Sequence, residues 1–236
     1  MIFTFLTATI SVIFFFGVLR LQRRKDQITE GKSAYQVYQS FFASFTAYFA
    51  ILAFANVLPI SPITAQVAFY LALYVFLFIG LGFCLLFTIR VSGRPALANI
   101  VFGVASGLGV TMFLYRMAHL PLPQLSSTSL FFFYRNPSYT GGEIFIISLG
   151  IVFTAGLFAV QFFRTSINAT AAPVRRRSIF MALGAVVAAI DGVSYFASHL
   201  LSQTVVPYAA TAGLVPAVVG FFLMTYPLLF RHKEEL

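Results

Sequence analysis

An all-α fold, a polytopic membrane bundle of seven transmembrane helices, follows from three observations on this sequence. Seven apolar stretches each reach the length of a bilayer crossing, hydrophobic residues make up 60% of the chain against 9% charged, and the basic residues collect after alternate stretches. Crossing about 30 Å of hydrocarbon takes ~20 apolar residues as a helix, because lipid offers backbone N–H and C=O groups no partners outside the segment. A soluble domain carries ~25% charged residues, so this chain has too few polar side chains to cover a water-facing surface.

The spans fall at about 2–20, 35–58, 66–90, 96–118, 142–163, 178–201 and 206–230, forming one domain over 1–236. The first opens Met1-Ile2-Phe3, with its charges (Arg20, Arg23, Arg24, Lys25) after the apolar run. A cleaved secretory signal has the opposite polarity, so this span is expected to be a retained helix. The second starts at Ala34 and continues rich in aromatic residues; the third holds the single cysteine, Cys84, which rules out an intrachain disulfide. The fourth carries Gly103-Val-Ala-Ser-Gly107 and Gly109, a small-residue face that permits close helix approach, expected within the bundle rather than between copies.

Between the fourth and fifth spans, Leu120 to Gly141 is the longest connection away from the basic face, with Pro121, Pro123, a Ser/Thr cluster at 126–129 and Phe131-Phe132-Phe133-Tyr134. Its aromatic residues suit an interfacial belt; a re-entrant segment or a lid over a pocket is the other reading. The fifth span opens on Glu143, the sixth carries Asp191, and the seventh is interrupted by Pro216 with Gly213 and Gly220 nearby, which makes it a candidate moving element.

Thirteen of the 15 Lys and Arg lie at one face: Arg20 to Lys32, Arg90 with Arg94, Arg164 through Arg175-Arg176-Arg177, and Arg231 with Lys233. Only Arg116 and Arg135 fall toward the other. Under the positive-inside rule the amino terminus lies outside and the carboxyl terminus in the cytoplasm of a cell membrane, the prokaryotic cytoplasmic (inner) membrane being expected. The net charge of +9 is thus topological, and no nucleic-acid partner is expected. The Arg175-Arg176-Arg177 run fixes topology and touches anionic lipid of the bilayer. No soluble domain is expected beside the bundle, so any signal would have to leave through another chain or through residues lost by truncation.

Asp191 is the costliest residue in the chain, set near the bilayer midplane, where insertion scales assign ~3 kcal/mol against a carboxylate. Tyr195 and His199 follow at i+4 and i+8, and Ser194 and Ser198 at i+3 and i+7, so a polar stripe runs toward the outer end. A packing carboxyl and a functional one both fit this pattern. Arg116, flanked by Tyr115 and His119, could pair with Asp191 or with Glu143, or snorkel to the interface. Asn56, Gln66, Tyr70, Tyr74 and Tyr208 add polar groups to the outer halves of three more spans, which fits an outward-facing pocket with mainly apolar walls and equally fits interhelical hydrogen bonds. The inner half offers only Ser40, Ser44, Thr88, Asn99, Gln161 and Thr225, so no continuous ion relay is visible. The expected ligand-binding set is Asp191, Tyr195, His199, Arg116, His119, Glu143, Tyr74 and Tyr208.

No His-x-x-x-His, Gly-x-Ser-x-Gly or nucleotide loop occurs, and His232 lies on the opposite face from His119 and His199, which excludes a three-His metal site. Lys25, Lys32 and Lys233 all lie in polar cytoplasmic segments, which disfavours a retinal Schiff base. No cofactor and no enzymatic activity are expected.

The layout as a whole, with Leu19-Arg20-Leu21-Gln22-Arg23-Arg24-Lys25 after the first span, a second helix from Ala34 and a basic end after the seventh, resembles the seven-helix amino-terminal sensor regions of prokaryotic histidine kinases and related signalling proteins. Those proteins continue into a cytoplasmic output domain, from which this chain departs. The resemblance implies a sensor or receptor-like role: a small-molecule ligand bound in the outer pocket and signalling through a partner protein, with the sixth and seventh spans as transmitting pair. Two other classes are carried beside it. One is a small transporter or channel subunit using Asp191 as a midplane ion or proton site, against which the absence of an internal repeat counts; the other is a structural subunit of a membrane complex.

Overall fold

The computed structural model describes residues 2–24, 32–57, 61–120, 124–128, 132–136, 139–201 and 206–229. Met1, Lys25, Pro121, Pro123, Phe131 and the tail from Arg231 through His232 and Lys233 to Leu236 lie outside the described residues. Eight α-helices follow in order: α1 (Ile2–Arg24), α2 (Lys32–Val57), α3 (Pro62–Tyr70), α4 (Phe78–Val91), α5 (Pro95–Ala118), α6 (Gly141–Asn168), α7 (Ala172–Ser198) and α8 (Val206–Leu229). A π-helical segment, Leu71–Leu77, joins α3 to α4 into one continuous rod. Counting that rod once, seven helices are long and apolar enough to cross a membrane, as the hydropathy pattern predicts. This is the architecture of a multi-pass membrane protein.

The helix ends follow local chemistry. Ser61 caps α3, its hydroxyl accepting from the Thr64 N–H at 3.1 Å, with Pro62 in the first turn, where a missing N–H costs nothing. After α4 the chain turns through Gly93 at φ +82, with Gly93 N donating to Arg90 O at 2.9 Å and Arg94 N to Ile89 O at 3.2 Å, a left-handed close that suits glycine. Several hydroxyls inside the spans return to their own helix: Thr7 Oγ1 donates to Phe3 O at 3.0 Å, Thr46 Oγ1 to Phe42 O at 2.9 Å and Thr225 Oγ1 to Phe221 O at 3.0 Å, while Ser11 Oγ crosses from α1 to Thr46 O of α2 at 3.0 Å. That disposes of polar atoms that lipid could not satisfy.

Two helix ends run further than hydropathy places them. α6 continues to Asn168, so Arg164 is helical, and α7 begins at Ala172, so Arg175-Arg176-Arg177 occupy its first turns rather than a connecting loop. Arginine extends an apolar helix into the interface by snorkelling, which composition alone does not register.

Around the bundle α1 packs on α2 and α8, α6 on α4 and α7, and α7 on α8, while α5 rests on α4, the π segment and α3. α5 is the least buried of the seven spans. Between helices in lipid there is no hydrophobic drive, and dense packing takes its place. Phe14 of α1 supplies much of it, with ring centroids 5.2 Å from Phe42, 5.4 Å from Phe45 and 4.8 Å from Phe221. Its side chain is fully buried.

The connection between α5 and α6 departs from an otherwise helical fold. β1 (Gln124–Thr128) pairs antiparallel with β2 (Phe132–Asn136), Ser126 opposite Tyr134, and β2 lies against α1, α2 and α8. This hairpin sits across one end of the bundle. The described basic residues Arg20, Arg23, Arg24, Lys32, Arg90, Arg94, Arg164 and Arg175 to Arg177 belong to the other end, where Tyr35 Oη donates to Leu21 O at 2.7 Å and Ser92 Oγ to Gln161 Oε1 at 3.1 Å.

Candidate functional site

The polar residues at the hairpin end gather in two separate places. In the first, α6 begins with Thr140 as N-cap and Glu143 three positions on, a capping box in which the Glu143 N–H donates to Thr140 Oγ1 at 3.3 Å and Thr140 N donates back to Glu143 Oε2 at 2.7 Å. Arg116, at the end of α5, donates from Nε and Nη2 to the two oxygens of the same carboxylate. Tyr74, in the π segment, donates its hydroxyl to Glu143 Oε1 at 2.6 Å, and the Arg116 guanidinium stands over the Tyr70 ring at 5.6 Å. One extra residue in the π turn re-aims the side chains that follow it, and here it lies just where Tyr70 and Tyr74 flank the ion pair. Of the partners open to Arg116, the structure selects Glu143.

This cluster holds a saturated carboxylate and a bidentate arginine, with Tyr74 fully buried beside them. It leaves no open coordination for a ligand, so its evident chemistry is to clamp α5, the π segment and α6 together.

The second place is interior. α1, α2, α4, the π segment, α6, α7 and α8 surround a cavity of about 80 Å³, with Asp191 and Tyr195 in its wall. Asp191 is 5% exposed, and its Oδ1 has no hydrogen-bond partner among the described residues. α8 brings Gly213 against this carboxyl: a Cβ at position 213 would lie 3.1 Å from Oδ1. α7 runs from Ala172 to Ser198, so Asp191 lies six residues, or ~9 Å, beyond its centre toward the hairpin end. The rest of the wall is chiefly aromatic and aliphatic; Thr154, Tyr48 and Cys84 are its other polar side chains.

The remaining expected site residues are placed apart. His199 sits just past α7, with Nδ1 3.0 Å from Tyr195 O and its ring 4.9 Å from Tyr139 and 5.0 Å from Tyr195. His119 is exposed, its Nδ1 3.1 Å from Tyr115 O, and Tyr208 is half exposed. Ser194 faces outward, donating to Ile190 O at 2.8 Å. Neither Arg116 nor Glu143 reaches the cavity wall. Asn56 Nδ2 donates to Leu52 O at 2.8 Å, and Gln66 is fully buried. No three His, Cys, Asp or Glu side chains converge among the described residues.

Sequence reasoning missed Thr140, although Thr140-Gly-Gly-Glu143 is a recognisable capping-box spacing. It also missed the aromatic wall formed by Phe3, Tyr48, Phe49 and Phe221. Among 30 phenylalanines and 11 tyrosines in the chain, these four rings carry no contrast.

Compared with known proteins, the chain matches no protein-family model and no curated protein. The fold and the site define a class, a seven-helix multi-pass membrane protein with an interior cavity bearing one carboxyl group.

Proposed function

We propose that this chain is a receptor-like membrane sensor that binds a small ligand in the interior cavity at Asp191 and passes the signal to a partner protein. A single observation carries the reading: a buried carboxyl group, whose Oδ1 has no hydrogen-bond partner among the described residues, lines a cavity. A bundle gains nothing in stability from such a group, since burying a charge without compensation is unfavourable, so its presence points to a use. The basic end, with nine arginines described, supports an orientation with that end in the cytoplasm and the hairpin outside.

The route for a signal lies along α7. From Asp191 to Arg177 is fourteen residues, or ~21 Å of rigid helix leading to the basic end. α7 and α8 pack through Gly184 and Gly220 too closely to slide independently, so they act as one transmitting body.

A transporter using Asp191 as an ion site is less well supported. Toward the basic end the cavity wall is chiefly Phe41, Phe45, Phe158, Phe221 and Met224, with the Cys84 thiol its one polar side chain and no carboxyl, amine or imidazole group to hand a proton or ion onward.

The test is a thermal-stability screen of chemically diverse small metabolites on the full chain in lipid nanodiscs, run in parallel on Ala185→Leu and Ala155→Leu, which fill the cavity from two walls. Compounds that raise the melting temperature of the wild type and not of the filled variants are expected. A screen in which no compound distinguishes them would sink the reading.

A further inference from the structure

Resting on the ligand-binding reading above, we infer that the cavity takes a small organic cation, an ammonium head group held between the Asp191 carboxylate and aromatic ring faces. The charge inventory of the wall carries this. Asp191 is its only acidic residue, and the wall contains no Lys, Arg or His. An anionic ligand would meet a carboxylate without a compensating donor. A neutral apolar ligand would offer Oδ1 no hydrogen bond. A cation is the ligand class that supplies what the wall lacks.

Calcium and magnesium are poorly matched by the side-chain oxygens of this wall. Calcium takes six to eight oxygen ligands and magnesium about six. The wall offers side-chain oxygens only from Asp191, Thr154, Tyr48 and Tyr195. An ammonium with carbon substituents needs no such shell, because ring quadrupoles stabilise it through their faces, with about 2 kcal/mol or more per desolvated contact.

The rings are present and mutually braced. Nine of the 23 wall residues are aromatic, enough to face a cation from several sides. Tyr195 stacks on Phe3 at 6.2 Å and meets Phe196 edge-on at 5.0 Å. Tyr48 meets Phe49 at 4.7 Å, and Phe49 meets Phe221 at 5.4 Å. These contacts tie α1 to α7 and α2 to α8, and all of these rings line one space. Its volume of about 80 Å³ gives room for roughly five to eight water-sized groups. Tetramethylammonium and choline are of that size.

The head group could belong to a free amine or to a phospholipid, and both present the same ammonium chemistry. The experiment uses the full chain in nanodiscs of phosphatidylglycerol alone, which lack any ammonium, and measures binding of tetramethylammonium, choline and 3,3-dimethyl-1-butanol, the neutral isostere of choline. The expected result is binding of both cations, choline over its isostere by about tenfold or more, with the preference lost in Asp191→Asn and all binding lost in Ala185→Leu. Phosphatidylethanolamine doped into the discs separates the sources. If it competes with free choline, a lipid head group occupies the site; if it does not, a free amine does.

Equal binding of choline and its neutral isostere would overturn the cation assignment and leave the ligand-binding reading standing. So would unchanged choline binding in Asp191→Asn, displacement by sodium or potassium, or wild-type hits in the metabolite screen confined to neutral or anionic compounds. Failure of both cations to bind would overturn it as well. Correct folding of each variant is checked by its melting temperature and monodispersity, and Tyr48→Leu, which removes a ring face and leaves Asp191 in place, provides a second variant that must weaken choline binding.

Discussion

Arg116 on α5 grips both carboxylate oxygens of Glu143 on α6, with side chains only 9% and 11% exposed. α5 packs on α4, the π segment and α3 rather than on α6. The pair therefore reaches past the π segment, and Tyr74 closes the gap from within it.

Removing one partner leaves the other charged and buried. Glu143→Ala is expected to cost about 3–5 kcal/mol, whereas Arg116→Met with Glu143→Leu recovers most of that loss, because a buried ion pair gains little over an apolar pair of similar volume. Tyr74→Phe, which removes one hydrogen bond to a charged acceptor, is expected to cost about 1.5–3 kcal/mol. Thermal or denaturant unfolding in nanodiscs ranks the four proteins. A double variant as unstable as Glu143→Ala would refute the argument.

The glycines make a sharper comparison. A Cβ on Gly184 would lie 2.5 Å from Gly220 O and 2.7 Å from Met224 Cγ, so Gly184→Ala must push α7 from α8. Gly103 and Gly107, expected from their spacing to pack inside the bundle, would meet nothing there. On α5 it is Gly109 that touches a neighbour, the Tyr74 carbonyl. Gly184→Ala is therefore expected to lose about 1–3 kcal/mol to overpacking, while Gly107→Ala gains up to about 1 kcal/mol in helix propensity. Melting temperatures of the two variants decide, and equal values would refute the packing account.

Asp191 should behave as a residue kept at the expense of stability. With no hydrogen-bond partner for Oδ1 among the described residues, replacing it by leucine removes a buried polar group and adds apolar contact. Asp191→Leu is expected to raise the melting temperature of the ligand-free protein and abolish ligand-induced stabilisation. A lower melting temperature would mean that the carboxyl is structural.

How much of this was legible in the sequence depended on contrast. The seven spans stood out because apolar length against charged ends is a strong signal. Arg116, Glu143, Tyr74, Asp191 and Tyr195 stood out because polar groups are scarce among hydrophobic neighbours. What an apolar background hides was not legible: a π turn at Leu71–Leu77 differs from an α turn by one residue in a uniform run. Phe131-Phe132-Phe133-Tyr134 has no period-two alternation to announce a strand, yet β2 begins at Phe132. One polar face at the outer end was expected, and the helix rotations divide it into a closed ion-pair cluster and a separate cavity. Residue spacing along single helices does not fix such rotations.

Membrane orientation gives the last prediction, since the basic end is proposed to be cytoplasmic. The native cysteine is no obstacle: Cys84 is 4% exposed and sits within a span, so a membrane-impermeant maleimide should not label the wild type. Ser92, exposed in the turn after α4, reports the basic end, and Gly142, exposed at the start of α6 with nothing near its Cβ, reports the hairpin end. Gly142→Cys is expected to be labelled in intact cells, and Ser92→Cys only after permeabilisation. The reverse pattern would put nine described arginines on the outer face. It would also put the hairpin, and with it the end of the bundle nearest Asp191, on the cytoplasmic side, so that any ligand would have to be an intracellular one.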